Sequence, residues 1–241
     1  MAIKPIVYKN ERFKLSYDML NPSKEKTLLF LHGWGSNKEL MKQAFGGSFP
    51  DYRHLYLDLP GFGKSENEAV LTTHDYAAIV SEFLETVKVR ADVAIGHSFG
   101  GKVATLLQPE RLILLSSAGI VMPKPLKVRA KIVLFKLLKP FGGDTLRELF
   151  VSSDASGMPR NMYETFKKVV DEDFSGTFAA FRSPALLCWG REDSATPPEA
   201  GRKIAGLIEG SRLEFFDGDH YFFLRQKDAV VKAMEKFLET V

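Results

Sequence analysis

The chain has 241 residues, 45% of them hydrophobic, and its 33 Lys and Arg against 30 Asp and Glu leave a net charge of +3. This composition is ordinary for a soluble α/β protein of one large domain or two small ones, and it is too weakly basic for nucleic acid to be the main partner. A single cysteine excludes an internal disulfide framework, five scattered histidines give no metal-ligand spacing, and no apolar run approaches the roughly 20 residues of a membrane span.

The N-terminus "MAIKPIVYKNERFKL" is charged throughout and lacks the apolar core of a signal peptide, so a cytoplasmic, reducing location is expected. "PIVYK" and "RFKLSYDML" read as two strands joined by a tight polar turn at Asn10 and Glu11. "KTLLFLHG" is a more continuously apolar strand, as inside a sheet covered on both faces. A helix over 38–45 and the strand "HLYLDLPG" follow. Apolar residues at 76, 79, 80, 83, 84 and 87 then mark a helix, with Thr73 as its expected N-cap. "DVAIG" is the fifth strand; a short helix and "RLILLSSAG" come next. Residues 122–182 carry no strand signal and read as helices broken by Pro and Gly. Strand rhythm resumes with "ALLCWG", where Cys188 reads as core, then a helix around 198–208, "RLEFF", and a last helix with an apolar face at 230, 231, 234, 237 and 238.

Alternating strands and helices imply a mostly parallel sheet with helices on both faces. The expected architecture is a core of 1–121 and 183–241, interrupted by a helical cap at 122–182. The short helix after Ser98 is expected to leave its flank exposed.

Within "AIGHSFGG", Ser98 lies between a short apolar strand and a helix. G-x-S-x-G arises by chance in about one chain of this length in ten, so its context must decide. A sharp strand-to-helix turn needs small neighbours, lifts the serine hydroxyl clear of the sheet and points it at the positive end of a helix. A serine nucleophile also needs a base and an acid that orients the base. "REDSATPP" supplies Asp193 after one strand and "DGDHYFF" supplies His220 after the next, at the strand ends where open α/β sheets bind ligands. Glu192, one position away, competes with Asp193 for the acid role. Asp219 adjoins His220 too closely to reach its ring, and Asp58 reads as a loop-structuring residue. Among the other histidines, His97 should point away from Ser98, His32 should hydrogen-bond backbone, and His54 and His74 read as surface. Oxyanion donors are expected from the backbone amides of Phe99 and, in "HGWGSN", of Trp34. "PGFGKS" lacks the spacing of a phosphate loop, so no cofactor is expected.

The motifs "HGWGSN", "DLPGFGKS", "GHSFGG", "WGREDSATP" and "GDHYFF", in this order, resemble the α/β-hydrolase superfamily along nearly the whole chain. The resemblance implies an eight-stranded, mostly parallel sheet with flanking helices and a cap. It also implies Ser98 as nucleophile, Asp193 as acid and His220 as base. "HGWG" is similar to carboxylesterases of the pimeloyl-carrier-protein methyl ester esterase type. The chain is also similar to meta-cleavage product hydrolases, which cleave carbon–carbon bonds of 2-hydroxy-6-oxo-dienoates, but those usually carry H-G-x-G-P-G and an asparagine before the serine. The leading expectation is therefore a carboxylic ester hydrolase acting through an acyl-enzyme on a small-molecule ester. A carbon–carbon hydrolase and a non-catalytic ligand sensor on the same scaffold are the alternatives. Residues 123–141 carry six Lys and Arg and no acid. That face is either a plain solvated surface or an attractor for an acidic carrier or an anionic surface.

Overall fold

The computed structural model describes residues 1–122 and 158–240. In chain order the elements are β1 (Ala2–Tyr8), β2 (Glu11–Leu20), β3 (Thr27–Leu31), α1 (Lys38–Phe45), β4 (Arg53–Leu57), α2 (Thr73–Thr86), β5 (Val93–His97), α3 (Phe99–Leu106) and β6 (Arg111–Leu115). They continue with α4 (Arg160–Val169), α5 (Ser175–Ala180), β7 (Ala185–Gly190), α6 (Pro198–Leu207), β8 (Arg212–Phe216), α7 (Phe222–Arg225) and α8 (Lys227–Glu239). The eight strands form one sheet in the order β1-β2-β4-β3-β5-β6-β7-β8. β1 and β2 pair antiparallel, as do β2 and β4, and every other pairing is parallel. Of the expected cap, 158–182 contributes α4 and α5, while its larger part, with the basic stretch 123–141, lies outside the described residues.

The side-chain period of two sorts the central strands into two cores. On one face Leu29, Leu31, Ala94, Leu112, Leu114 and Leu187 pack with Tyr76 and Val80 of α2, Val103 of α3 and Ile204 of α6. On the other, Leu28, Phe30, Ile95, Ile113, Leu115 and Cys188 pack with Met41 and Phe45 of α1, Phe222 and Phe223 of α7, and Met234 of α8. Full burial of such side chains contributes about 1.5–3 kcal/mol each, and no helix among the described residues is long and apolar enough to cross a membrane.

Local chemistry moves two expected boundaries and changes one expected exposure. The β1–β2 turn is at Lys9 and Asn10, with φ of 48° and 65°, which pairs Tyr8 with Glu11. Two left-handed residues in succession match the right-handed twist of a tight hairpin. Helix α2 is capped by Thr72, not Thr73: the Thr72 hydroxyl accepts from the Asp75 amide while the Asp75 carboxylate accepts from the Thr72 amide. Only Thr72 has an acid three residues on, so only it can form that reciprocal box. Helix α3 exposes no flank, because Phe99 through Thr105 are all buried.

Asp58 ties the loops after β3 and β4 together. Its Oδ1 accepts from the Lys38 amide at 2.7 Å, and its Oδ2 accepts from Lys38 Nζ at 2.9 Å and from the Lys64 amide at 3.1 Å. Both side chains are buried, so removing one partner strands the other charge. Asp58→Ala, which leaves Lys38 only the exposed Glu39 at 3.4 Å, is expected to cost about 3–5 kcal/mol in urea unfolding. Lys24→Met, which breaks an exposed pair with Asp51, is expected to cost under about 1 kcal/mol; equal losses would refute the role of Asp58.

Candidate active site

Ser98 sits between β5 and α3 with φ 50° and ψ −116°. A left-handed conformation at a non-glycine residue costs about 1–3 kcal/mol and persists only where its surroundings enforce it. Here the Ser98 amide donates to Leu115 O at 3.1 Å, and its carbonyl accepts from the Gly101 and Ala118 amides at 3.0 Å. The turn closes because its neighbours lack side chains. A Cβ on Gly96 would lie 2.4 Å from Gly100 O, and one on Gly100 would lie 2.4 Å from Leu31 O.

Asp193 follows β7 and is buried; His220 follows β8. His220 Nδ1 lies 2.8 Å from Asp193 Oδ2. Asp193 Oδ1 accepts from the Ala195 and Thr196 amides, both at 2.9 Å, and Thr196 Oγ1 lies 2.8 Å from Oδ2. Burial alone would raise the Asp193 carboxyl, but the hydrogen bonds and charge of its partners outweigh it and hold the group below the ordinary carboxylate value. Asp193 thus stays ionised and fixes the proton of the His220 ring on Nδ1, leaving Nε2 as the basic atom. Glu192 is exposed, and the Asp219 carboxylate accepts from the Tyr221 amide at 2.9 Å, so neither competes for the ring.

The loop after β3 folds against the elbow. The Ser36 amide donates to Gly33 O at 3.2 Å and Gly35 has φ +72°, a tight turn with Trp34 at its apex. A Cβ on Gly33 would lie 3.1 Å from Ser98 Cβ and 2.9 Å from His97 Nδ1, so only glycine lets this backbone come so close. Ser98, Phe99, Trp34 and His220 line one cleft of about 520 Å³. The first amides of α3, starting at Phe99, have no acceptor within their own helix and carry its positive end. Among the described residues neither Ser98 Oγ nor His220 Nε2 has a hydrogen-bond partner. Such bonds tighten when substrate binds.

Sequence reasoning did not anticipate three contacts. Thr196 braces Asp193, a short-range arrangement that the spacing D-S-A-T permits. His97 points away from Ser98 as expected, yet its ring packs at a tilt against that of His220, centroids 4.6 Å apart, and its Nε2–H donates to His220 O at 3.1 Å. Lys102 and Glu172 meet in the cleft wall. His54, expected at the surface, is buried and bonds to Tyr56 Oη and Phe49 O, because Phe30, Phe49 and Tyr56 close around its ring. His74 is exposed. His32 donates from Nδ1 to Gly33 O at 2.8 Å and accepts the Leu59 amide at Nε2.

Burial pushes the buried histidines toward the neutral form, His32 down to about 4 and His97 to about 3, with His54 lowered as well. Below the ordinary value of 6.5 the unfolded chain binds protons that the native state refuses, so stability rises with pH across the window between about 4 and 6.5. Acidification from pH 7 to 5 is therefore expected to lower unfolding free energy, at up to about 1.4 kcal/mol per pH unit for each fully depressed histidine. Urea titrations at the two pH values check this, and equal stability would refute neutral His32 and His97.

Comparison with known proteins matches the alpha/beta hydrolase family over residues 28–233. Among curated proteins the chain is similar to the uncharacterized hydrolase YugF of Bacillus subtilis, with 27% identity covering 80% of this chain and 82% of that one. It is also similar to the 2-hydroxy-6-oxononadienedioate/2-hydroxy-6-oxononatrienedioate hydrolase of Escherichia coli, with 26% identity covering 89% and 87%. Among solved structures its fold matches the esterase EaEST of Exiguobacterium antarcticum with a TM-score of 0.77 and 20% identity, covering 98% of this chain and 99% of that one. With the expected eight-stranded, mostly parallel sheet and a family match across most of its length, the chain belongs to the alpha/beta hydrolase family.

Proposed function

We propose that the protein is a cofactor-independent carboxylic ester hydrolase acting through an acyl-enzyme at Ser98. The observation that carries this reading is the left-handed backbone of Ser98 at the mouth of a cleft that it shares with His220, itself hydrogen-bonded to Asp193. His220 Nε2 takes the Ser98 proton as Oγ attacks the ester carbonyl. The Phe99 and Trp34 amides hold the negative charge that develops on the carbonyl oxygen. The protonated ring then gives its proton to the departing alcohol, and a water activated by the same ring releases the acid. Asp193 stays ionised throughout and stabilises the imidazolium. In this reading 122–182 caps a core of 1–121 and 183–241, and the enzyme works on small esters in the cytoplasm.

The second reading is carbon–carbon hydrolysis, favoured by the similarity to the Escherichia coli hydrolase. His97 in place of asparagine and Ser36-Asn37 after "HGWG" favour esters. Kinetics on short-chain 4-nitrophenyl esters and a ring-fission dienoate separate the two. The best ester is expected to have the higher kcat/KM, and a dienoate well above it reverses the order. Ser98→Ala should lower kcat on the ester by several powers of ten with the fold intact by circular dichroism. Activity within tenfold of wild type would sink the nucleophile assignment, and no turnover of any substrate by the wild-type protein would favour a ligand sensor.

Asp193→Asn should lower kcat by at least about a hundredfold, whereas Glu192→Gln should leave it within about threefold, because only Asp193 reaches the imidazole. The reverse ranking would move the acid to Glu192.

A further inference from the structure

The wall of the cleft contains an ion pair that the hydrolytic steps do not use. Lys102 is the fourth residue of α3, four positions after Ser98, and both side chains line the cleft. Its side chain is 1% exposed. Nζ donates to Val169 O at 2.7 Å and to Glu172 Oε2 at 2.9 Å, and it lies 4.9 Å from the centre of the Phe174 ring and 5.6 Å from that of Phe99. Glu172 is held a second time, from α2, where the Thr73 hydroxyl donates to the same Oε2.

Both donors use one oxygen. Glu172 Oε1 has no hydrogen-bond partner among the described residues, and the side chain is 25% exposed where it lines the cleft beside Ser98 and His220. Its carboxylate is therefore a rigid acceptor with one oxygen anchored and the other open. Lys102 already balances the charge of Glu172, so what the open oxygen lacks is a proton donor and not a cation. Among the described residues, the rest of that wall is largely apolar, with Ile120, Met122, Phe166 and Val169. Replacing a buried ion pair by well-packed apolar residues is often neutral or stabilising, so the pair is not needed merely to fill this wall.

We propose that Glu172, set by Lys102 and Thr73, is a specificity determinant that selects esters bearing a neutral hydroxyl on the chain lying along the α3–α4 wall. This rests on the ester-hydrolase reading and names its substrate class. An O–H donated to a fixed carboxylate is a charge-assisted bond, and losing it should cost about tenfold or more in kcat/KM.

The test uses pairs in which a hydroxyl replaces a methyl or hydrogen, with turnover followed by pH-stat. The pairs are methyl 3-hydroxybutanoate against methyl butanoate, methyl 6-hydroxyhexanoate against methyl hexanoate, and 2-hydroxyethyl butanoate against propyl butanoate. Monomethyl adipate serves as the carboxylated probe. At least one hydroxylated ester should exceed its partner about tenfold in kcat/KM, and the adipate should fall below methyl hexanoate. The double variant Lys102→Met with Glu172→Met removes the pair without leaving a lone buried charge. In it the hydroxyl preference should collapse toward one, while kcat for plain esters stays within about threefold. No preference in any pair, or a preference that survives in the double variant, overturns the proposal. Absence of turnover on every ester strikes the ester-hydrolase reading instead. In that case calorimetric binding of the same pairs to Ser98→Ala still reads the preference, and equal Kd values within every pair overturn it.

Discussion

The backbone of Ser98 is the constraint around which the rest of this end of the molecule is arranged. A non-glycine residue at φ 50° and ψ −116° is held against its own preference by three hydrogen bonds from β6, α3 and the segment after β6. Those bonds exist only because the chain turns sharply enough to bring α3 back over the sheet. Gly96 meets Gly100, Gly100 meets Leu31 of β3, and Gly101 meets Ser117, each at a distance that no Cβ would tolerate. Gly33, from a separate loop, meets His97 and Ser98 in the same way. "HGWG" and "GHSFGG", more than 60 residues apart in sequence, are thus one steric unit.

The same unit sets the place of His220. His97 and Ser98 are successive residues, so their side chains diverge: the serine goes to the cleft and the imidazole goes beneath the His220 loop. There the His97 ring packs on His220, Tyr221 and Phe223 and holds the His220 carbonyl through Nε2–H. Among the described residues its buried Nδ1 has no partner, a local cost of about 1–3 kcal/mol. Strain at one residue and an unsatisfied nitrogen at the next are tolerable because β3, β5 and β6 beneath them are buried on both faces. The destabilised spot coincides with the cleft, where rigidity at defined atoms matters more than local stability.

What could be read from sequence followed the range of the interaction. Eight strands, the parallel order of the sheet and the apolar face of α8 are encoded by period and by turn residues, which act over a few positions. The chain order of Ser98, Asp193 and His220, after the fifth, seventh and eighth strands, was legible for the same reason. The choice between Thr72 and Thr73 depended on which of them has an acid three residues later, and that was present in the sequence. Asp193 is favoured over Glu192 by its place and by the resemblance, not by periodicity, because adjacent carboxylates differ only in which one turns inward. His54 illustrates the other limit: a polar residue at a strand start looks exposed until Phe30 of the neighbouring strand closes over it together with Phe49 and Tyr56. The meeting of Lys102 and Glu172 spans 70 residues and has no local signature.

That meeting bears on how selectivity and rate can be joined in one cleft. Ser98 leads directly into α3 and Lys102 is its fourth residue, so the anchored carboxylate and the nucleophile are both tied to one short helix. Phe99 stands between them in sequence and contributes its ring to the Lys102 environment and its amide to the proposed oxyanion site. A contact made at Glu172 is therefore held at a constant offset from Oγ. Under the proposed mechanism, binding energy from a remote hydroxyl can position the ester carbonyl as well as retain the substrate, and energy used for positioning raises kcat as well as lowering KM. A recognition group on a mobile loop would give up much of that effect to ordering the loop. Placing it one turn from the nucleophile gives a polar wall whose specificity can change through two side chains while Ser98, His220 and Asp193 stay as they are.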